Sequence, residues 1–229
     1  MMKNTLLSLS LFLIGSMAAS DPSCQHGDAI TTYTVKSNDT IFSIADRYNT
    51  TVCDISRYNH IADPQMLYTG EELYIPPQRC AHSDPSHSCL LTNQNATNTC
   101  VNGGPHTYTI FQGDTIRKIA LAKFNITIEA LNSTAGHMTY GASGDIDAEI
   151  ESGLLIKVPQ CYPSRCEYRP YYYTWGTYKD LAIKYNTTPG HIFALNPSFN
   201  HSETGPGVGG WITLPMNCGS LSDNVTVVS

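Results

Sequence analysis

Three groups of residues in this sequence have types and spacings that could do chemistry. Asp145, Asp147, Glu149 and Glu151 alternate, and two carboxylates on one face are what a glycosidase pair requires. Cys80, His82, His87 and Cys89 form a compact cysteine–histidine cluster of a kind that holds zinc. The third group is a set of short polar turns, each just ahead of a helix-like run: Asn38-Asp39-Thr40, Gly113-Asp114-Thr115 and Trp175-Gly176-Thr177. The first two groups have plainer readings. The acidic run reads as a solvated loop or edge strand, because no further domain is available to build a cleft around it. The eight cysteines, at Cys24, Cys53, Cys80, Cys89, Cys100, Cys161, Cys166 and Cys218, all follow the N-terminal segment. An even count in an oxidising compartment points to four disulfides rather than to metal, without choosing among the pairings. His60 reads as a surface residue rather than a base. No cofactor is called for.

The turns recur with their surroundings. The copies begin TYTVKSNDTIFSIADRYNT at Thr32, TYTIFQGDTIRKIALAKFNIT at Thr107 and YYYTWGTYKDLAIKYNTT at Tyr171. Thr40, Thr115 and Thr177 align, as do Ala45, Ala120 and Ala182, and the copies close on LYIP, IKVP and ITLP at Pro76, Pro159 and Pro215. Tyr33-Thr34-Val35 alternates and is β-prone. Asp39 or Thr40 can cap a helix, and Ile41, Ile44, Ala45 and Tyr48 sit at one-face helical spacing. Asn49-Thr50-Thr51 breaks and recaps the chain, Val52, Ile55 and Tyr58 suggest a second helix, and Leu73-Tyr74-Ile75 returns as a strand. Each unit is thus strand–helix–helix–strand in about 45 residues, too small to bury much core, so external staples are expected. The fold class is α+β: three small βααβ units packed together and stapled by disulfides. The expected division is a signal segment at 1–20, units at 32–77, 107–160 and 170–216, linkers at 78–106 and 161–169, and a tail at 217–229. In the run Tyr168, Tyr171, Tyr172, Tyr173, Trp175, alternation sends about half of the rings inward, with Trp175 left as the exposed one.

With Y-x-V/I, G-D-T-x-x-x-I-A, a following Tyr or Phe and L-x-I-P, the sequence resembles the LysM module. As a chain of three such modules behind a signal segment, it is similar to the fungal secreted LysM effectors over about residues 32–216. The resemblance implies non-catalytic binding of chitin-type N-acetylglucosamine oligomers in a shallow groove between two loops. The first loop maps onto Asn38, Asp39, Thr40 and Ile41; onto Gly113, Asp114, Thr115 and Ile116; and onto Gly176, Thr177 and Tyr178. The second maps onto Asn59, His60, Ile61 and Ala62 in unit one and Asn196, Pro197, Ser198 and Phe199 in unit three. In unit two it is assigned to Ser133, Thr134, Ala135 and Gly136. Helix capping alone is the competing role for Asp39, Asp114 and the threonines, and it is compatible with ligand contact. In some family members the first and third modules form a composite groove, and the stapled linkers motivate the same expectation here.

Whole-chain features agree with an extracellular binder. Lys3, the apolar run Leu6 to Ile14 and the small residues Ala18, Ala19 and Ser20 read as a cleaved signal peptide. A formal charge of −6 with only 14% charged residues argues against nucleic acid and anionic membrane as partners. Chitin or its oligosaccharides is the expected partner, with ligand-bridged self-association as an option. N-x-S/T acceptors stand at Asn38, Asn49, Asn95, Asn125, Asn132, Asn186, Asn200 and Asn224, and a glycan on Asn38 would obstruct the first unit's groove. The competing classes are a receptor-type ectodomain and a peptidoglycan-binding wall protein.

Overall fold

The structure is a computed structural model that describes residues 29–77, 87–135, 144–203 and 208–228. The signal segment, Cys24, Cys80, His82 and Gly136 lie outside the described residues. Unit one runs β1 (Thr31–Thr34), α1 (Ile41–Arg47), α2 (Val52–Tyr58) and β2 (Glu72–Ile75), with β1 antiparallel to β2 and Tyr33 opposite Leu73. After β3 (Val101–Asn102), the second unit runs β4 (Thr107–Thr109), a π-helix (Lys118–Phe124), α3 (Ile128–Ala135) and β5 (Leu155–Lys157), with Tyr108 opposite Ile156. After β6 (Gln160–Tyr162), the third runs β7 (Ser164–Tyr173), α4 (Tyr178–Lys184), α5 (Pro189–Leu195) and β8 (Gly210–Ser220), with Tyr171 opposite Ile212. The register therefore repeats: a strand-one tyrosine faces the first apolar residue of each closing tetrad.

Local chemistry explains the helix boundaries. Thr40 and Thr177 cap α1 and α4, each in a capping box, and the Thr115 hydroxyl accepts the Lys118 N–H at 3.1 Å. At the helix break, Asn49, Asn125 and Asn186 all take positive φ, between 50° and 54°, a region that asparagine tolerates. Two residues on, Thr51 and Thr188 cap α2 and α5, and Thr127 accepts the Ala130 N–H. Unit two carries one residue more than unit one between its aligned alanine and this break. The π-helix absorbs that residue as a wider turn and keeps Lys123 in step with Arg47.

One aromatic pair recurs as well. Tyr33–Tyr48, Tyr108–Phe124 and Tyr171–Tyr185 are all edge-on, with centroids 5.5–5.7 Å apart. In units one and two the strand tyrosine donates its hydroxyl proton to the turn aspartate, Tyr33 to Asp39 at 2.5 Å and Tyr108 to Asp114 at 2.6 Å. The same carboxylates accept the Lys36 and Phe111 N–H groups. A helix-borne cation completes each set: Arg47 on Tyr33, and Lys123 on both Tyr108 and Asp114. Unit three lacks the aspartate and one turn residue. There the Tyr171 hydroxyl meets Tyr185 instead; burial, with that contact, pushes its pKa up to about 12.

Packing joins the units unequally. Units two and three share one core that includes Tyr108, Phe124, Ile192 and Leu214, whereas unit one has its own around Ile44, Ile55 and Leu73. Gly190 lets α5 lie directly on the Phe124 ring, which a Cβ there would meet at 2.6 Å. The Lys123 ammonium sits 4.3 Å from the Phe193 ring centroid, tying α5 to the π-helix. Disulfides Cys53–Cys89, Cys100–Cys161 and Cys166–Cys218 hold the linkers and the last ribbon, and closing loops of such length is worth roughly 4 kcal/mol each. Cys89 is thus bonded to Cys53 and unavailable to zinc. A small sheet of β3, β6 and β9 (Thr226–Val228) draws both connecting segments and the tail together. Residues 164–169 are ribbon rather than linker: β7 pairs with β8 through Ser164↔Ser220, so the third unit's ribbon extends past Pro215 into the tail. Along it Tyr173 is buried while Tyr168 and Tyr172 are exposed, the expected alternation, and Trp175 is exposed beyond it. The acidic run is an exposed loop: Asp147 pairs with Arg117 and Glu149 accepts the Gly113 N–H.

Truncating Lys123 leaves the Asp114 carboxylate, 3% exposed, without its ion partner. Lys123→Ala is therefore expected to cost about 3–5 kcal/mol in chemical denaturation. Arg47, 48% exposed beside Asp39, is expected to cost about 1 kcal/mol or less when truncated to alanine.

Candidate functional site

The expected groove loops fall into three groups. Asn59 and Asn196 are structural pins. The Asn59 amide donates to the Ile55 and Tyr74 carbonyls and accepts the Tyr74 N–H, and Asn196 does the same with Ile192 and Thr213. Each ties the end of the second helix to the closing strand. Counting from the cap, Ala135 holds this position in unit two, and Ser133, Thr134 and Ala135 are the last turn of α3 rather than a loop. The Ser133 and Thr134 hydroxyls fold back onto the Ala130 and Leu131 carbonyls, continuing the helix and correcting the assignment made from spacing. Asp39 and Asp114 are occupied by the tyrosine bonds above, and Ile41 and Ile116 are core residues.

Asn59, His60, Ile61 and Ala62 are buried, Asn59 and Ile61 within unit one and His60 and Ala62 against unit three. The Gly176 N–H donates to the Arg57 carbonyl at 3.2 Å and the Tyr178 N–H to the Ala62 carbonyl at 3.1 Å. The Arg57 guanidinium clasps Asp180 with two hydrogen bonds, at 3.0 and 2.8 Å, and lies 5.5 Å from the Trp175 ring centroid. The Lys179 ammonium donates to the Leu90 carbonyl, and Glu71 pairs with His201. His60 is therefore not a surface residue; its ring packs 5.8 Å from Tyr173. Gly176, Thr177 and Tyr178 are buried in the same junction.

Above this junction lies a cleft of about 440 Å³. Its walls are Ala62, Asp63, Met66 and Tyr68 from the α2–β2 loop of unit one, and Asn196, Pro197, Ser198, Phe199, Asn200, His201 and Ser202 from the α5–β8 loop of unit three, with Phe111, Tyr178 and Phe193 beneath. Of the residues singled out by spacing, it brings together Ala62, Tyr178 and 196–199, and none of 38–41 or 113–116. Asn38 is exposed but does not line this cleft. Met66, Tyr68, Asp63, His201 and Ser202 escaped the sequence reading, and Asn200 entered it only as a glycosylation acceptor. The loop equivalence read from the sequence stops at Ala62 and Phe199, and how much further each loop lines the cleft becomes visible only once the units are docked.

The walls are aromatic and neutral-polar. Asp63 is the one carboxylate among the described residues lining the cleft; burial raises its pKa, opposed by the positive charge of Lys123, and its carboxylate accepts the Gln65 N–H. The one cluster of potential metal ligands among the described residues, Cys166, His191 and Cys218, has its two sulfurs bonded to each other. No helix among the described residues is long and apolar enough to cross a membrane.

Fold and cleft together define a repeat-built, disulfide-stapled protein with a neutral, aromatic-walled groove between two repeats. A LysM domain is matched over residues 33–76. The chain is 44% identical over 197 residues to the secreted LysM effector LysM13 of Penicillium expansum, covering 86% of this chain and 83% of that one. It is 37% identical over 201 residues to the secreted LysM effector ECP6 of Passalora fulva, covering 84% and 81%. With the secreted LysM effector ELP2 of Colletotrichum higginsianum it shares 33% over 128 residues, covering 56% and 66%. The chain belongs to the secreted LysM effectors.

The junction is acid-sensitive. Burial pushes the Asp180 pKa up, but the Arg57 and Thr177 hydrogen bonds and the Arg57 charge outweigh it and hold the carboxyl below 3.8. Burial lowers His60 below 6.5, partly offset by the Thr174 carbonyl. Both groups bind protons more readily when released, so each contributes stability that is full above its ordinary pKa and lost as pH falls through the depressed one. Protection of the Gly176 and Tyr178 amides against hydrogen exchange, corrected for intrinsic rates, is expected to fall below pH 6.5 and again below 3.8. Flat protection across that range would contradict the assignment.

Proposed function

We propose that all three βααβ units are LysM modules, with the domain boundaries of the sequence reading except for the longer third ribbon, and that the chain is a non-catalytic binder of chitin-type N-acetylglucosamine oligosaccharides. Its main site is the composite cleft between units one and three. The observation that carries this reading is that the same loop, between second helix and closing strand, is supplied twice and faces one shared cleft. Such a sugar is uncharged, and its distinguishing handle is an acetamide whose methyl suits a small apolar pocket. Tyr68 and Phe199 offer ring faces for the apolar side of a sugar, while Ser198 offers a neutral hydrogen-bonding group. No step of hydrolysis is assigned, since glycoside cleavage generally needs two flanking carboxylates and, among the described residues, the cleft wall supplies Asp63 alone. The names of the relatives support an effector role: binding soluble chitin fragments so that a host's receptors go untriggered, or coating wall chitin against hydrolases.

Two half-sites held in fixed relation convert the second contact into an intramolecular one, raising affinity about 10²–10⁴-fold over one half-site. Calorimetry with N-acetylglucosamine oligomers of rising length is expected to give one tight site per chain, with affinity climbing until the oligomer spans both walls. Tyr68→Ala and Phe199→Ala are each expected to weaken it about tenfold, from lost ring contact of roughly 1.5 kcal/mol. Equal, independent weak sites, or release of shortened sugars, would overturn the reading.

A further inference from the structure

The lip of the cleft carries a feature that ligand binding does not use. Asn200-His201-Ser202 is an N-x-S acceptor, and Asn200 and Ser202 are both exposed and both line the cleft. His201 between them is buried against Glu71, which fixes the backbone of the motif. The Asn200 Oδ1 accepts the Ser202 N–H at 3.1 Å, a side-chain-closed turn. Among the described residues its Nδ2 reaches only Glu203 Oε1, at 3.5 Å and in an exposed position. The acceptor at Asn125 is different in kind: its Nδ2 donates to Thr97 and its Oδ1 is buried. Asn196, further along the same wall, has its amide committed to backbone and is followed by proline.

We propose that Asn200 is an N-glycosylation site and that its glycan lies across the cleft as a tethered competitor for the ligand. In the secretory pathway the co-reactant is a lipid-diphosphate-linked oligosaccharide. Asn200 Nδ2 forms the bond to the anomeric carbon and gives up one proton, while the bond from that carbon to the phosphate oxygen breaks and the lipid diphosphate leaves with the electron pair. The first two sugars so attached are N-acetylglucosamine, the unit of which the ligand is built. The inference rests on the reading of the cleft as an N-acetylglucosamine groove. Attached at the lip, those sugars reach an effective concentration on the order of millimolar, enough for a weakly held disaccharide to stay seated. A short free oligomer must displace it; a long one makes contacts that the tether lacks.

The test compares four forms of the full chain secreted from a eukaryotic host: wild type, wild type treated with peptide N-glycanase, Asn200→Gln, and Ser202→Ala, which removes the acceptor while leaving the asparagine. Peptide mapping reads occupancy, calorimetry with an N-acetylglucosamine tetramer reads affinity, and the rate of Met66 oxidation by peroxide reads coverage of the cleft without any ligand. The expected result is a modified Asn200, about tenfold weaker tetramer binding in the untreated wild type than in the other three, and slower Met66 oxidation in that form alone. An unmodified Asn200, or equal affinities with equal oxidation rates, overturns the proposal and leaves the groove reading standing. Slow oxidation in the glycosylated form, with none of the four binding sugar, supports the glycan's placement and sinks the groove reading instead.

Discussion

The clasp of Arg57 on Asp180 is the constraint on which the rest of the structure depends. It spans 123 positions of sequence and joins the second helix of unit one to the first helix of unit three, so the two repeats face each other with their open loops on the same side. A partly buried ion pair is weak evidence of stability in itself, but this one is bidentate and embedded in satisfied backbone bonds at Gly176 and Tyr178. Its contribution is orientation. Without it unit one, most of whose core is separate from that of the other two, would be held to unit three by the backbone bonds at Gly176 and Tyr178, the Glu71–His201 pair and the His60–Tyr173 contact.

The same fold is built three times with the burden shifted each time. Unit one keeps its Tyr33–Asp39–Arg47 set near solvent, whereas unit two buries the corresponding Tyr108–Asp114–Lys123 set beside α5 of unit three. Unit three discards the aspartate and uses the shortened turn as the surface that docks unit one. The turn that opens each unit thus carries scaffold bonds in units one and two and docks against unit one in unit three.

Much of this architecture was legible in the sequence because it is local. The threonine caps, the asparagine breaks and the alternation of the tyrosine run follow from spacing, and the repeats supplied strand order. Two things were not. The added residue in the second unit's first helix leaves no mark in periodicity, since a π-turn keeps both flanking faces apolar. Separately, Asn132, which comes three residues sooner after its break than Asn59 does, drew the loop assignment away from Ala135, the true counterpart of Asn59. The extent of the cleft is a property of docking: Met66, Tyr68 and His201 are unremarkable loop residues until a contact distant in sequence sets them opposite one another. Reading His60 as exposed failed for the same reason.

The central claim, that units one and three make one sugar site between them, is tested most directly by mapping amide hydrogen exchange along the chain with and without a saturating N-acetylglucosamine oligomer. The account predicts that protection rises together in residues 62–68 and 196–202, with little change at 38–41 and 113–116. Protection confined to those latter turns, or to one wall of the cleft alone, would contradict it.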